Sequence, residues 1–276
     1  MTGHSVQGRV LIVAGSDSGG GAGIQADLKT FSALGCYGMS VITALTAQNT
    51  KGVKTIFELE PNFVAEQINT ILEDIGVDAI KIGMLFNISI IKAVAKCLRQ
   101  VENCPIVLDP VMFAKSGDRL LKEDAVQTII NELFPLATIV TPNLLEVGSL
   151  LGRPVTTAER MHQAAIDLCN LGSKAIVIKG GGLSISNSDD CLVIESGLPK
   201  WLIQERIDTQ NSHGTGCTFS SAIAAFLARS FNLEDAVVEA KTYLTESLKA
   251  GAAKSLGYGK GPVMHFYKIW GKPMGD

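Results

Sequence analysis

The chain has 276 residues, of which 46% are hydrophobic, and its formal net charge at pH 7 is -3. This length suits one α/β domain with a large core, so we expect a single domain over residues 1–276. The slightly acidic balance and the low aromatic content, 6%, argue against a nucleic-acid partner. The polar start and the lack of a membrane-length apolar run predict a soluble cytoplasmic protein with no membrane partner.

The six cysteines are spread along the chain and include no Cys-x-x-Cys pair. This spacing is typical of reduced thiols in the cytoplasm and not of a disulfide scaffold or a zinc site. We therefore expect the partners to be small molecules.

A strand, a glycine-rich loop and a helix open the chain. Residues 10–14 are a continuous apolar run, typical of a parallel strand buried on both faces. Residues 15–23 read Gly-Ser-Asp-Ser-Gly-Gly-Gly-Ala-Gly, and the next helix stops near Gly35. The loop matches neither the dinucleotide pattern G-x-G-x-x-G nor the P-loop pattern. We expect its backbone to approach a ligand that need not be charged, and a ligand-free glycine connection is the alternative.

Strands and helices then alternate. The predicted strands cover residues 38–47, 79–83, 105–109, 137–141 and 174–179, and the predicted helices cover 61–75, 88–99, 122–133, 143–151 and 156–171. Thr156 and Glu159 have capping-box spacing. Residues 191–195 and 201–207 indicate an antiparallel pair, and further helices are expected over 222–229 and about 233–253. The pattern predicts a doubly wound three-layer α/β/α sandwich with a mostly parallel sheet and a small antiparallel edge.

Polar residues at the predicted strand ends should share one crevice, because ligands of open α/β sheets bind beyond the carboxyl ends of the strands. Asp109 ends one buried strand, and Glu146 lies in the first turn of a helix that follows another. Two carboxylates suit a magnesium–nucleotide complex, since Mg²⁺ keeps several of its waters. Lys179 ends an apolar strand and is expected to contact phosphate. The alternatives are a turn hydrogen bond for Asp109 and a solvated position for Glu146.

Residues 211–220 place a polar, glycine-rich turn directly before a helix of small and apolar residues. The free N–H groups and the dipole of a helix N-terminus bind anions, and residues 214–216 leave room for a phosphate. We expect the same dipole to lower the pKa of the Cys217 thiol and to make it a base near neutral pH. His213 is a rival base, ranked lower because it precedes the turn. A tight turn beside a small buried cysteine is the structural alternative.

Seven segments of the sequence carry a resemblance to a known family. They are A-G-S-D-S-G-G-G-A-G-I-Q-A-D-L-K-T-F at 14–31, T-A-L-T-A-Q-N-T at 43–50, K-I-G-M at 81–84, D-P-V-M at 109–112, A-K-S-G-D at 114–118, T-P-N-L-L-E at 141–146, and H-G-T-G-C-T at 213–218. Together they resemble the hydroxymethylpyrimidine/phosphomethylpyrimidine kinase family, which has the ribokinase-like fold. The resemblance implies ATP-dependent phosphorylation of 4-amino-5-hydroxymethyl-2-methylpyrimidine and of its monophosphate, for thiamin diphosphate biosynthesis, with Mg²⁺ as cofactor. We also expect a homodimer.

The resemblance implies roles for residues of this sequence. The pyrimidine pocket is matched by Gly15, Ala22, Asp27, Gln48, Met84 and Val111, with Gln48 on the ring amine and ring nitrogen. The base is matched by Cys217, and the anion hole by Gly214, Thr215 and Gly216. The Mg²⁺ region is matched by Asp109 and Glu146, and the lysines near the nucleotide phosphates by Lys179 and Lys260. Gly182 replaces the family's usual histidine, which bears on closure of the loop beyond it.

Three alternatives stay open at this point. The nearest is a pyridoxal kinase on the same scaffold, although Gln48 and Thr215 favour the pyrimidine. A non-catalytic binding protein is the second, although it would not need the base, the anion hole and both acids together. Hydrolysis with Cys217 as nucleophile is the third, and it needs a partner such as His162 or His265 that the sequence does not place nearby.

Overall fold

A nine-stranded sheet runs through the part of the chain that is described. The computed structural model describes residues 6–114, 116–183, 187–195 and 197–270. The strands are β1 (Arg9–Asp17), β2 (Tyr37–Asn49), β3 (Gly52–Glu58), β4 (Ala79–Ile82), β5 (Ile106–Leu108), β6 (Ile139–Val140), β7 (Ala175–Ile178), β8 (Asp190–Ile194) and β9 (Lys200–Leu202). Their spatial order is β3-β2-β1-β4-β5-β6-β7-β8-β9. Residues 1–5 and 271–276 of the predicted domain lie outside the described residues.

The predicted parallel sheet with an antiparallel edge is confirmed. All neighbouring pairs from β2 to β7 are parallel, and β8 and β9 add the expected antiparallel edge. A second antiparallel edge was not predicted, because β3 pairs with β2 as a hairpin in which Asn49 faces Gly52. The residues of β3 are exposed or half-buried, so this strand lacks the apolar run by which the others were predicted.

Helices cover both faces of the sheet. They are α1 (Gly23–Ala33), α2 (Pro61–Asp74), α3 (Ile88–Leu98), α4 (Val126–Leu133), α5 (Leu144–Leu151), α6 (Ala158–Cys169), α7 (Thr215–Ala228), α8 (Leu233–Gly251) and the short α9 (Tyr267–Trp270). The helix predicted over 222–229 thus begins earlier, at Thr215, directly after the glycine turn. None of the described helices is both long enough and apolar enough to cross a membrane.

The capping box predicted at Thr156 and Glu159 is wrong. Helix α6 begins one residue later than that pattern requires, and the hydroxyl of Thr157 caps it by accepting from the N–H of Arg160. A capping box does form at the start of α5, where Asn143 and Glu146 each accept from the other's backbone N–H. Glu146 is therefore fixed in its direction before any ligand is considered.

Strand β1 is buried on both faces because its alternate residues enter two different cores. Val10, Ile12 and Ala14 pack in the core under α1, α7 and α8. Leu11 and Val13 pack in the core under helices α2 to α6. This arrangement gives the three layers, and it explains why the strand is a continuous apolar run in the sequence.

Candidate functional site

A cleft of about 960 Å³ lies at the carboxyl ends of the parallel strands. Strands β2 and β4 flank β1 on opposite sides, so the cleft lies where the strand order reverses. It is lined by every predicted site residue except Asp27. These are Gly15, Ala22, Gln48, Met84, Asp109, Val111, Glu146, Lys179, Gly214, Thr215, Gly216, Cys217 and Lys260.

The end of β1 and the residues after β4 form an apolar wall of the cleft. The register between β1 and β2 shifts from Ala14 to Ser16, where three steps along β2 match two along β1, so Gly15 faces an extra residue of β2. A Cβ atom on Gly15 would lie 3.0 Å from the sulfur of Met84, so the methionine packs directly on the backbone there. Met84 belongs to a small apolar cluster against which Val111 packs. This wall suits the face of a small aromatic ring.

Asp27 lies behind this wall and does not line the cleft, in contrast to the expectation for a pocket residue. Its side chain is 0% exposed and pairs with Lys81, also 0% exposed, at 3.0 and 3.1 Å from the two carboxylate oxygens. The hydroxyl of Ser221 on α7 donates to the same carboxylate at 2.5 Å. Lys81 itself lines the cleft, so Asp27 can act on a ligand only through its partners.

Gln48 lies near the end of β2 and points its amide at two neighbours. Its Oε1 atom is 3.1 Å from the Thr46 hydroxyl, and its Nε2 atom is 3.4 Å from Nε2 of His213. The same histidine nitrogen is 2.9 Å from the Asp17 carboxylate. His213 thus joins the glycine loop to the end of β2.

Helix α7 begins at the glycine turn, with its first N–H groups at the cleft. Gly214 is the N-cap residue, has φ +77°, and offers no side chain to cap the helix. A Cβ atom on Gly214 would overlap the carbonyl oxygen of Gly21, so the two glycine-rich segments touch backbone to backbone. Uncapped N–H groups at a helix start are ready to bind an anion.

The expected low pKa of the Cys217 thiol is wrong. Burial raises the pKa of the Cys217 thiol to about 12, and the carboxylates of Asp27 and Asp109 add to the effect. The ammonium of Lys81 and the N–H of Gly23 act in the opposite direction. The helix dipole alone therefore does not produce a thiolate here, because desolvation outweighs it.

Two carboxylates and one lysine form the charged end of the cleft. Lys179 lies 2.8 Å from Asp109 and 4.0 Å from Glu146. Burial alone would raise the pKa of Asp109, but the ammonium groups of Lys179 and Lys81 hold it below its usual range. Burial raises the pKa of Glu146 to about 7, although Lys179 opposes this. Asp109 is thus a charged carboxylate, and burial makes Glu146 the more easily protonated of the two.

These carboxylates fit a metal that reaches the site with its own ligands. In the described ranges, no group of three or more His, Cys, Asp and Glu side chains is arranged to hold a metal ion. Asp109 accepts from Lys179, Thr141 and Ser220, and Glu146 accepts from the N–H of Asn143. Mg²⁺ takes one or two protein carboxylates and fills its other positions with water and phosphate oxygens. The donor set therefore suits Mg²⁺ that arrives with a nucleotide.

Sequence reasoning missed the roles of Asp17 and Lys81. Asp17 anchors the glycine loop by accepting from the N–H groups of Gly19, Gly21 and Ala22. Its signal was a lone acid inside a glycine run. Lys81 interrupts the apolar strand β4, and a charged residue in a buried strand is itself a sign of a buried partner. Only the folded structure shows that this partner is Asp27.

Comparisons with known proteins agree on one family. A family model described as phosphomethylpyrimidine kinase matches residues 17–264. A hydroxymethylpyrimidine/phosphomethylpyrimidine kinase of Escherichia coli is 46% identical over 261 residues, which is 94% of this chain and 98% of that protein. The crystal structure of a phosphomethylpyrimidine kinase from Clostridium difficile is 42% identical, covers 87% of this chain and 99% of its own, and has a TM-score of 0.77. The ADP complex of a Bacillus subtilis pyridoxal kinase is 37% identical, covers 93% and 96%, and has a TM-score of 0.84.

Proposed function

The chain belongs to the phosphomethylpyrimidine kinase family, and we propose that it phosphorylates 4-amino-5-hydroxymethyl-2-methylpyrimidine and then its monophosphate with ATP. The product is the diphosphate used in thiamin diphosphate biosynthesis. The observation that carries the proposal is that one cleft contains Gln48, the apolar wall, the start of α7 and Cys217. A ring site and an anion site in one cleft are what an alcohol kinase requires.

Each part of the cleft has a task in phosphoryl transfer. The acceptor oxygen bonds to the γ-phosphorus of ATP while the bond from phosphorus to the bridging oxygen of ADP breaks. The proton of the hydroxymethyl group passes to the sulfur of Cys217. The N–H groups of residues 214–216 and the ammonium groups of Lys179 and Lys260 balance the charge on the phosphates. Gln48 orients the ring so that the hydroxymethyl group faces Cys217.

Cys217 must lose its own proton before it takes one from the substrate, because its thiol pKa in the free protein is about 12. The ammonium of Lys81 favours the thiolate, and the charge of Lys179 interacts with the same sulfur. We expect kcat/KM for the alcohol to rise about tenfold per pH unit below the thiol pKa. A pH-independent kcat/KM between pH 6 and pH 9 would remove Cys217 from the role of base.

Asp109 and Glu146 would hold Mg²⁺, directly or through its waters. When bound with the nucleotide, the ion supplies positive charge next to the phosphate oxygens. Lys179 already neutralises Asp109 in the free protein, so the lysine is expected to turn toward the phosphates when the ion replaces it. Asp109→Asn should therefore raise the KM for the magnesium–nucleotide complex more than the KM for the pyrimidine.

Pyridoxal kinase activity is the second candidate, because solved pyridoxal kinases have TM-scores of 0.84 to 0.87 to this chain. The test is to compare ATP-dependent phosphorylation of the aminopyrimidine and of pyridoxal by the purified protein. We expect the pyrimidine to be preferred, and a strong preference for pyridoxal would overturn the assignment. Gln48→Ala should raise the KM for the pyrimidine roughly 5- to 150-fold, since an unpaired buried ring edge costs about 1–3 kcal/mol.

A homodimer is also part of the proposal. Leu45 and Phe57 are cross-strand neighbours on the β2–β3 hairpin, and they are 42% and 64% exposed. Exposed apolar pairs on a sheet edge favour association. Light scattering at micromolar concentration should give twice the chain mass, and Phe57→Lys should reduce it to that of a monomer. A monomeric mass for the unmodified protein would contradict the proposal.

A further inference from the structure

Three elements meet at the amide of Gln48. Asp17 ends β1, Gln48 lies near the end of β2, and His213 precedes α7. The Nε2 atom of His213 lies between the other two side chains, 2.9 Å from Oδ2 of Asp17 and 3.4 Å from Nε2 of Gln48. Thr46 lies on the other side of the amide, with its hydroxyl 3.1 Å from Oε1. All four residues line the cleft.

Asp17 determines where the proton of the histidine ring lies. Its carboxylate accepts from the N–H groups of Gly19, Gly21 and Ala22 at 2.8, 3.0 and 2.8 Å. Burial alone would raise the pKa of Asp17, but the hydrogen bonds from His213 and the backbone keep it below its usual value. An ionised carboxylate only accepts hydrogen bonds. The Nε2 atom of His213 therefore carries a proton and donates it to Asp17.

A protonated Nε2 atom on His213 discriminates between the two ends of the Gln48 amide. The amide nitrogen of Gln48 is also a donor. When it faces His213, two N–H groups lie next to each other without an acceptor between them. A half-turn of the amide replaces this repulsion with an attraction, because its oxygen then faces the positive N–H of the histidine, whose hydrogen stays in the bond to Asp17. The same half-turn brings the amide nitrogen to the Thr46 oxygen, which is free to accept because the single hydroxyl proton goes to the carbonyl of Ser16 at 2.9 Å.

We propose that the Asp17–His213 pair selects the orientation of the Gln48 amide, and thereby fixes the order in which the cleft presents an acceptor and a donor to the substrate ring. Within this order the oxygen lies toward His213 and the nitrogen toward Thr46. An aminopyrimidine presents a donor amine beside an acceptor ring nitrogen, and an amide pairs with such an edge through two hydrogen bonds, as glutamine does with adenine. A reversed amide would oppose like groups at both positions. His213 is thus a specificity-determining residue that acts through Gln48.

The glycine loop is built around this histidine ring. A Cβ atom on Gly21 would overlap Cδ2 of His213. The side chain of His213 is only 10% exposed, so the ring has little freedom to leave its position between Asp17 and Gln48. The packing therefore holds the histidine in the geometry that the selection of the amide requires.

The inference rests on the proposed aminopyrimidine substrate, so its test measures binding separately from turnover. Isothermal titration gives the Kd of the aminopyrimidine and of the analogue with hydrogen in place of the amine. His213→Leu removes the ring N–H, whereas His213→Gln places an amide N–H the same number of bonds from the backbone. The matched control is His162→Leu on α6, whose residue does not line the cleft.

We expect the unmodified protein to bind the aminopyrimidine more tightly than the analogue. His213→Leu should weaken aminopyrimidine binding about tenfold and analogue binding much less, and the KM should change more than kcat. His213→Gln should restore the Kd to within about threefold, and His162→Leu should leave it unchanged. Equal losses for both ligands, no loss in His213→Leu, no rescue by glutamine, or no preference in the unmodified protein would each overturn the inference. Lost phosphorylation with the preference intact would overturn the proposed function alone.

Discussion

Replacing Lys81 by methionine should reveal how much the buried ion pair under the cleft stabilises the fold. Both side chains of the pair are 0% exposed, so Lys81→Met leaves the Asp27 carboxylate buried, with the hydroxyl of Ser221 still donating to it. Breaking a buried pair in this way costs about 3–5 kcal/mol. A second route gives the same size, because protonating a carboxyl group of ordinary pKa 3.9 at pH 7 costs about 4 kcal/mol.

The pH dependence of this loss identifies its cause. In the variant the native protein holds a proton on Asp27 that the unfolded chain releases above about pH 3.9. The native state therefore binds more protons, and the variant's deficit should shrink by about 1.4 kcal/mol for each pH unit from 7 to 5. Guanidinium unfolding at pH 7 and pH 5 measures this directly. A deficit below about 1 kcal/mol, or one that does not shrink, would contradict a buried ion pair as the source of the stability.

Two further variants separate the charge from the packing. The double variant Lys81→Met, Asp27→Leu removes both charges and should recover most of the lost stability, because a buried pair can be replaced by apolar residues at little cost. Lys200→Met breaks an ion pair with Glu234 whose side chains are 44% and 52% exposed. This exposed pair should contribute less than about 1 kcal/mol.

Three other predictions follow from the site. Cys217→Ala should lower kcat for the alcohol about 10²- to 10⁴-fold but spare the monophosphate, whose acceptor oxygen is already ionised near pH 7, and equal losses would contradict a base role. Gly214→Ala should destabilise the fold by more than about 1 kcal/mol in urea unfolding, because its φ is +77° and a Cβ atom would overlap Gly21. Burial lowers the pKa of His265 to about 4, whereas the unfolded chain takes up this proton near pH 6.5. The free energy of unfolding should therefore fall by about 1.4 kcal/mol for each pH unit from 6.5 toward 4. His265→Gln should remove this slope.

The buried strands and the position of the cleft at their ends could be predicted because their signals are local. The apolar run of β1 is buried on both faces as its composition indicates, and polar residues after buried strands meet at one edge by the geometry of parallel sheets. Gln48, Asp109, Lys179 and Cys217 were therefore placed together from the sequence, with the family resemblance supplying their roles.

Properties that depend on neighbours distant in sequence could not be predicted. The local rule for a helix N-terminus predicts a low thiol pKa for Cys217. Burial near Asp27 and Asp109 raises this pKa instead, and that burial is known only from the packed structure. The pairing of Asp27 with Lys81 likewise joins α1 to β4. The predicted cap of α6, Thr156, is one residue away from the actual cap, Thr157, because two adjacent threonines give the same local signal.

The backbone contact between Gly21 and Gly214 sets the distance between the glycine loop and the start of α7. The glycine loop and the start of α7 touch without intervening side chains, so any change in their spacing would break this backbone contact. The two acceptors of the proposed reaction differ in length by one phosphate group. With the Gly21–Gly214 contact intact, we expect the ring of the longer acceptor to lie farther along the cleft, or the nucleotide to lie farther away by the same distance.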